Sequence, residues 1–278
     1  MGTPTKMRRK ASLDASRLSS GQFWWFKAPQ VISYALIILL LPTVSFARDG
    51  ISLKVEPSYF SGTYGTGKQN SIYYLPFTAA YERNNVKISI TIPYMELRGQ
   101  TLVSNGQVIG SGSSAVSHAG LGDVIIKGKY YASQQFGVVP GVSPYFVLVI
   151  PTGSRKNGLG TGEFSEEPGS VLHWRLGRRF FSFVKLGYRF SASPAGQKFR
   201  NVPIVTAGVT GVISPGHYLT AVFAGHPAIQ AKFPNSADIL LAYDTSFMKR
   251  YDLQFFIDKG LTAGSANIGG GMGVSTHF

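Results

Sequence analysis

Five histidines, His118, His173, His217, His226 and His277, are the residues of this chain best suited to hold a metal or move a proton. None stands in a ligand spacing such as H-E-x-x-H, and the absence of Cys excludes thiolate sites, disulfides and cysteine nucleophiles. Ser182 and His173 flank a turn at Arg178-Arg179, and acyl transfer would need them joined to an orienting third group. His173 belongs to the polar set of its segment and no nucleophile elbow surrounds Ser182, so the chain is not expected to be an enzyme. The run Gly158-Leu159-Gly160-Thr161-Gly162 lacks the Lys of a phosphate loop and precedes no helical pattern. It reads as a loop that folds tightly or inward, with Gly158, Gly160 and Gly162 forming a constriction. No residue pattern calls for a cofactor.

The informative chemistry is charge placed at every second residue. Lys87, Asp123, Lys127, Lys129, Arg175, Lys185 and Arg189 alternate with apolar neighbours in the first two thirds of the chain, and Asp244, Asp252 and Asp258 do so near its end, joined by Asp238 and Glu56. Residues of one parity share one face of a strand. The cations then line one side of an interior and most of the acids the other, which sets up either a transverse field across a wet pore or a salt-bridge network that plugs it.

The elements that must carry these charges are strands. Val86, Ile88, Ile90 and Ile92 oppose Lys87, Ser89 and Thr91; Val124, Ile126, Gly128 and Tyr130 oppose Asp123, Lys127 and Lys129; Val184, Leu186 and Tyr188 oppose Lys185 and Arg189. About twelve such segments of roughly ten residues follow one another, the length that crosses a bilayer when tilted. Short connections, such as Asn84-Asn85, Arg178-Arg179 and the turn at Pro215-Gly216, alternate with longer ones, among them residues 99–120 and 152–168. That is the pattern of periplasmic turns and extracellular loops. Residues 142–151 are apolar on both faces and cannot be given a side. Residues 201–231 carry no Lys, Arg, Asp or Glu, but Gly208, Gly211, Gly225 and the Pro215-Gly216 break favour two strands over membrane helices. Tyr59, Tyr73, Tyr81, Tyr94, Trp174, Tyr188, Tyr243 and Tyr251 fall on the apolar faces, as interfacial girdles would.

With 44% hydrophobic and only 14% charged residues, and 33 Gly in 278, the chain is too apolar for disorder and too weakly charged for a typical soluble domain. Residues 1–47 read as a cleaved signal peptide, in which basic residues lead into an apolar run of about 11 residues, short of the roughly 20 a spanning helix needs. Residues 48–278 then form one barrel domain. The +14 formal charge is scattered, without a run of five like charges, which argues against nucleic acid as a partner.

Gly120-Leu121-Gly122-Asp123-Val124, Lys129-Tyr130-Tyr131, Pro151-Thr152-Gly153-Ser154 and the Gly158 to Gly162 run resemble an outer-membrane family named for the meta-pathway of phenol degradation, whose members are described as transporters. The resemblance implies an all-β, antiparallel up-and-down barrel in the outer membrane of a Gram-negative bacterium, passing small apolar or aromatic solutes by passive diffusion. The alternatives are a structural or surface-binding barrel without a pore and an outer-membrane lipid hydrolase. The partners expected are outer-membrane lipid and lipopolysaccharide, the outer-membrane assembly machinery, and the solute. The terminal Phe278 shares its parity with Val274 and Met272 and resembles the signal that machinery reads. Deleting Phe278 is expected to lower membrane insertion while export continues; normal heat-modifiable migration of the truncated protein would count against that role.

Overall fold

The computed structural model describes residues 50–104, 107–194, 196–247 and 250–278. The expected signal peptide, residues 1–47, lies outside them.

Where the two-residue period holds, the chain is extended. Twelve antiparallel staves result: β1 (Gly50–Val55, resumed at Ser58–Gly62), β2 (Asn70–Arg83), β3 (Val86–Ser104), β4 (Gln107–Leu121, resumed at Val124–Tyr130), β5 (Gly141–Ile150), β6 (Ser165–Leu176), β7 (Phe180–Ser191), β8 (Val202–Ser214), β9 (His217–His226), β10 (Ser236–Phe247), β11 (Tyr251–Gly260) and β12 (Ile268–His277). Each pairs with its chain neighbours, and β12 closes the sheet against both halves of β1, with Val55 opposite Val274 and Ser61 opposite Ile268. Closure leaves no edge, the condition a sheet must meet in hydrocarbon. The Phe278 N–H donates to the Ile51 carbonyl at 2.9 Å, so the terminal residue stands at that seam.

The two interruptions have local causes. In β1 the chain passes Glu56-Pro57, where proline has no N–H for the ladder and its carbonyl accepts the Met272 N–H at 3.1 Å. In β4 the break falls at Gly122-Asp123. There the Gly122 N–H still reaches the Pro93 carbonyl, while the Val124 N–H is taken by the Thr152 hydroxyl at 2.9 Å.

Short connections lie at one end. Asn84 (φ 51°), Gly177 (φ 74°) and Gly216 (φ 82°) supply the left-handed residues that tight hairpins require. One expected loop is instead strand. Residues 99–120 belong largely to β3 and β4, which stay paired to Ser104 and Gln107 with irregular register near Gly99 and Leu102. Ladder hydrogen bonds need only backbone groups, so a Gly/Ser-rich hairpin can continue past the lipid belt without an apolar face. Residues 152–168 likewise end earlier than expected, because β6 begins at Ser165.

Neighbouring residues separate cleanly by face. Ile88 is 52% exposed and Ser89 8%; Leu186 is 47% exposed and Lys185 1%. The outward side chains are apolar in a broad belt that includes Ile90, Ile92, Val205, Leu241 and Ile257. Tyr59, Tyr73 and Tyr188 ring the long-loop end of this belt, and Tyr81, Tyr130 and Tyr251 the short-turn end. This two-girdle surface is that of a membrane-spanning barrel. Leu186→Arg is expected to cost about 2 to 4 kcal/mol in urea unfolding from liposomes, and Ser89→Ala far less. Equal losses would overturn the assignment of faces.

Candidate functional site

The interior is built from the other parity. On β3 to β7 it carries Lys87, Lys127, Lys129, Lys185 and Arg189, and on β10 to β1 Asp238, Asp244, Asp252, Asp258 and Glu56, all buried except Lys87, which is half-buried. Among the described residues three buried carboxylates stand with the basic wall, Glu82, Glu167 and, bound to a loop, Asp123. Glu82 pairs with Lys87 at 3.0 Å. Glu167 is the centre of a larger network: its Oε1 accepts the Tyr145 hydroxyl at 3.0 Å and faces Lys185 Nζ at 2.8 Å, while its Oε2 accepts from Arg189 Nη2 at 3.0 Å and Nε at 3.3 Å. Lys185 also sits 4.6 Å above the Tyr145 ring. That ring occupies space a Cβ at Gly169 or Gly187 would need, so the two glycines let Tyr145 lie flat across β6 and β7. Lys129 caps the ring of Tyr131 at 4.6 Å. Lys127 Nζ has no hydrogen-bond partner among the described residues.

Among the described residues the acidic wall holds one buried cation, Lys54. It pairs with Glu56 and donates to Gln254 Oε1 at 2.7 Å, and Gln254 stands opposite Asp244 in the ladder. Asp252 faces His277 at 3.6 Å. Asp258 and Asp238 lie diagonally across β10 and β11, since Asp238 opposes Gly260. Neither oxygen of Asp258 nor of Asp238 accepts a hydrogen bond among the described residues. Tyr64, fully buried in the first long loop with φ 50°, lies beside both acids. Burial first, and then those acids, push its phenol well above the usual tyrosine value, so it stays neutral.

Each long connection other than the one joining β3 to β4 places an apolar side chain in the interior: Tyr64, Leu159, Phe199, Ile229 and Ala266. They meet Ile72, Leu97, Val149, Ile204 and Leu240 from the wall in one cluster. A crevice lined by Phe164, Arg189, Phe199 and Ile229 has room for about one water.

Asp123 organises the third of these loops. Its Oδ1 accepts the Gly153 N–H and its Oδ2 the Thr161 N–H, both at 3.0 Å, with the Thr161 hydroxyl at 3.4 Å. A one-turn 3-10 segment, Arg155–Asn157, ends at left-handed Gly158, which turns Leu159 inward. A Cβ at Gly160 would collide with the Asp123 carboxylate. Gly162 (φ 77°) then leads the chain out again.

The residues singled out from the sequence thus divide into groups. Lys127, Lys185 and Arg189 come together around Glu167; Asp244 and Asp252 gather with Lys54; Asp258 joins Asp238 under Tyr64. Lys87 and Lys129 stand nearer the short-turn end of the basic wall, opposite each other in the ladder. Asp123 faces the loop formed by Gly158, Gly160 and Gly162. Arg175 lies exposed at the short-turn rim, 5.7 Å over Phe181 and donating to the Gly177 carbonyl. Phe278 is 73% exposed. The sequence reading missed Glu167 because it lay in residues 152–168, read as a loop, and it did not single out Tyr64 or Lys54. For Glu167 the parity it shares with Val171 and His173 was the available signal.

No protein-family model matches the chain, and no curated protein matches it in sequence. Solved structures match in fold. An outer membrane channel from Pseudomonas putida F1 is 12% identical, with a TM-score of 0.63 over 86% of this chain and 97% of that one. The translocator domain of the autotransporter NalP from Neisseria meningitidis is 12% identical, with a TM-score of 0.58 over 83% and 89%. The KdgM porin is 8% identical, with a TM-score of 0.53 over 82% and 99%. At such identities the likeness extends to the closed barrel and no further.

Asp123→Ala leaves the Gly153 and Thr161 N–H groups without their acceptor, at a cost on the order of 3 kcal/mol to the loop, while the Thr161 hydroxyl keeps the Glu163 carbonyl. Trypsin is expected to cut at Arg155 and Lys156 faster in the variant than in the wild type, while the barrel keeps its heat-modifiable migration. Equal cutting rates would show that the carboxylate does not hold the loop.

Proposed function

We propose that this barrel is an outer-membrane channel rather than an enzyme, and that it passes small apolar or aromatic solutes by passive diffusion. The observation that carries the reading is the interior charge. Cations and acids stand on opposite walls, and Lys127 and Asp258 end in buried atoms with no hydrogen-bond partner among the described residues. A buried charge left without partner or water costs several kcal/mol, and a lumen that admits water or a polar solute would relieve that cost, which supports the channel reading. The motifs resembling the phenol meta-pathway family agree with an aromatic solute. Lipid and lipopolysaccharide would surround the belt, and the assembly machinery would read the last strand.

A second reading, a barrel plugged for structural purposes, is favoured by the apolar cluster at the long-loop end. Under the channel reading the third loop is the constriction, held by Asp123 and filled by Leu159. Removing residues 158–162 is expected to raise single-channel conductance and to lower discrimination between solutes in liposome swelling. If neither the wild type nor the shortened protein conducts or swells liposomes, the interior is a plug and the channel reading fails.

A further inference from the structure

We propose that the short connection joining β4 to β5 is a lipid anchor, and that with the β6–β7 turn it forms a site for the phosphate headgroup of an anionic phospholipid. The inference rests on the outer-membrane reading, under which the short turns meet the phospholipid leaflet, and adds a partner to it. Phe136 and Val139 exchange backbone hydrogen bonds at 3.1 and 3.0 Å around Gly137 (φ 58°), which takes the left-handed position a two-residue turn requires. The connection is therefore a built hairpin. Its side chains are nevertheless apolar and bare: Phe136 is 85% exposed and Val138 90%, against 47% for Leu186 in the lipid belt. Turns that meet only water are built from polar residues, and a bare apolar tip marks a contact surface.

Where the tip stands decides what covers it. Trp174 has the outward parity of Leu172 and Leu176, and its indole N–H donates to the Val138 carbonyl at 3.3 Å. The Arg175 N–H donates to Gln135 Oε1. These bonds draw the hairpin to the outer side of β6 rather than beneath the lumen. There Tyr130, Leu176 and Phe180, each about half exposed, carry the apolar belt down to the rim. The hairpin extends a surface that already meets lipid.

Charge selects the lipid. Arg175, Arg178 and Arg179 lie exposed on the neighbouring turn, and none of them is in an ion pair among the described residues. The other exposed charged side chains of the short turns, Arg83 and Arg250, are cations too, and no Asp or Glu side chain among the described residues is exposed at this end. Guanidinium groups grip phosphate through paired hydrogen bonds, and clustered cations beside a bilayer draw anionic lipids. An acyl chain lying against Phe136 and Val138 brings its headgroup to the rim, level with the arginines.

The test uses the fluorescence of Trp174, the only tryptophan left after Trp24→Phe and Trp25→Phe. The protein is reconstituted in phosphatidylcholine bilayers, and brominated phosphatidylglycerol or brominated phosphatidylcholine is added as the quencher. Phosphatidylglycerol is expected to quench with an apparent affinity about fivefold or more higher. Arg175→Gln, Arg178→Gln and Arg179→Gln combined are expected to bring the two lipids level, whereas Arg250→Gln, on another short turn, keeps the preference. Because the chain has no Cys, Val138→Cys accepts a single environment-sensitive dye, expected to emit as in an apolar medium in bilayers at every protein density. Equal quenching by the two lipids, a preference that survives the triple variant, or a dye that emits as in water overturns the site. Apolar emission that is lost on diluting the protein in lipid shows a second copy covering the tip and overturns it as well. Conductance read in the same bilayers keeps the readings apart. A barrel that sorts lipids without carrying current retains the site and loses the channel, and one that conducts without sorting loses the site alone.

Discussion

Every backbone N–H and C=O that enters the hydrocarbon layer must find a partner within the protein, and the rest of this structure follows from that constraint. A strand satisfies it only between two others, so the last stave has to return to the first. It does so through β12 pairing with both halves of β1. Closure in turn makes parity decisive: one set of side chains meets lipid and the other an interior that lipid cannot reach. The breaks at Pro57 and Gly122 are tolerated because the Pro57 carbonyl, the Thr152 hydroxyl and the Pro93 carbonyl take up the neighbouring donors.

The interior carries two kinds of material that ordinary cores keep apart. Near the long loops it is apolar, filled by side chains that those loops insert. Elsewhere it is charged, with Glu167 balancing Lys185 and Arg189 on one wall and Lys54 opposing a group of acids on the other. Neither wall is neutral within itself. A core meant only to be dense gains nothing from this separation, since burying ions of one sign together adds repulsion to the desolvation cost. Separation of this kind is useful where something polar must lie between the walls.

The third loop links the two regions. Asp123 has the parity of a lumen charge, but its two oxygens are occupied by loop donors from Gly153 and Thr161. A carboxylate in a strand wall thereby sets the position of Leu159, which belongs to the apolar cluster. The Gly-Leu-Gly-Asp, Pro-Thr-Gly-Ser and Gly-Leu-Gly-Thr-Gly runs are one structural unit split across the sequence.

Much of the architecture was legible without coordinates, because the two-residue period is a local property imposed by the two environments of a membrane strand. Strand number, the outward tyrosines and the separation of Lys127 and Lys185 from Asp244 and Asp258 all follow from it. Where both faces are apolar the period is silent. Only pairing with β4 and β6 turns Tyr145, Val147 and Val149 inward and Phe146 outward. Where neither face is apolar it is silent again, so the Gly/Ser-rich ends of β3 and β4 read as loop although their backbones are paired. The partnerships that give the lumen its chemistry join residues far apart in the chain: Asp123 with Thr161, Tyr145 with Glu167, Lys54 with Gln254. Parity says that such groups face inward. Register, stagger and the path of the loops decide which of them meet, and those are set by the closed sheet as a whole.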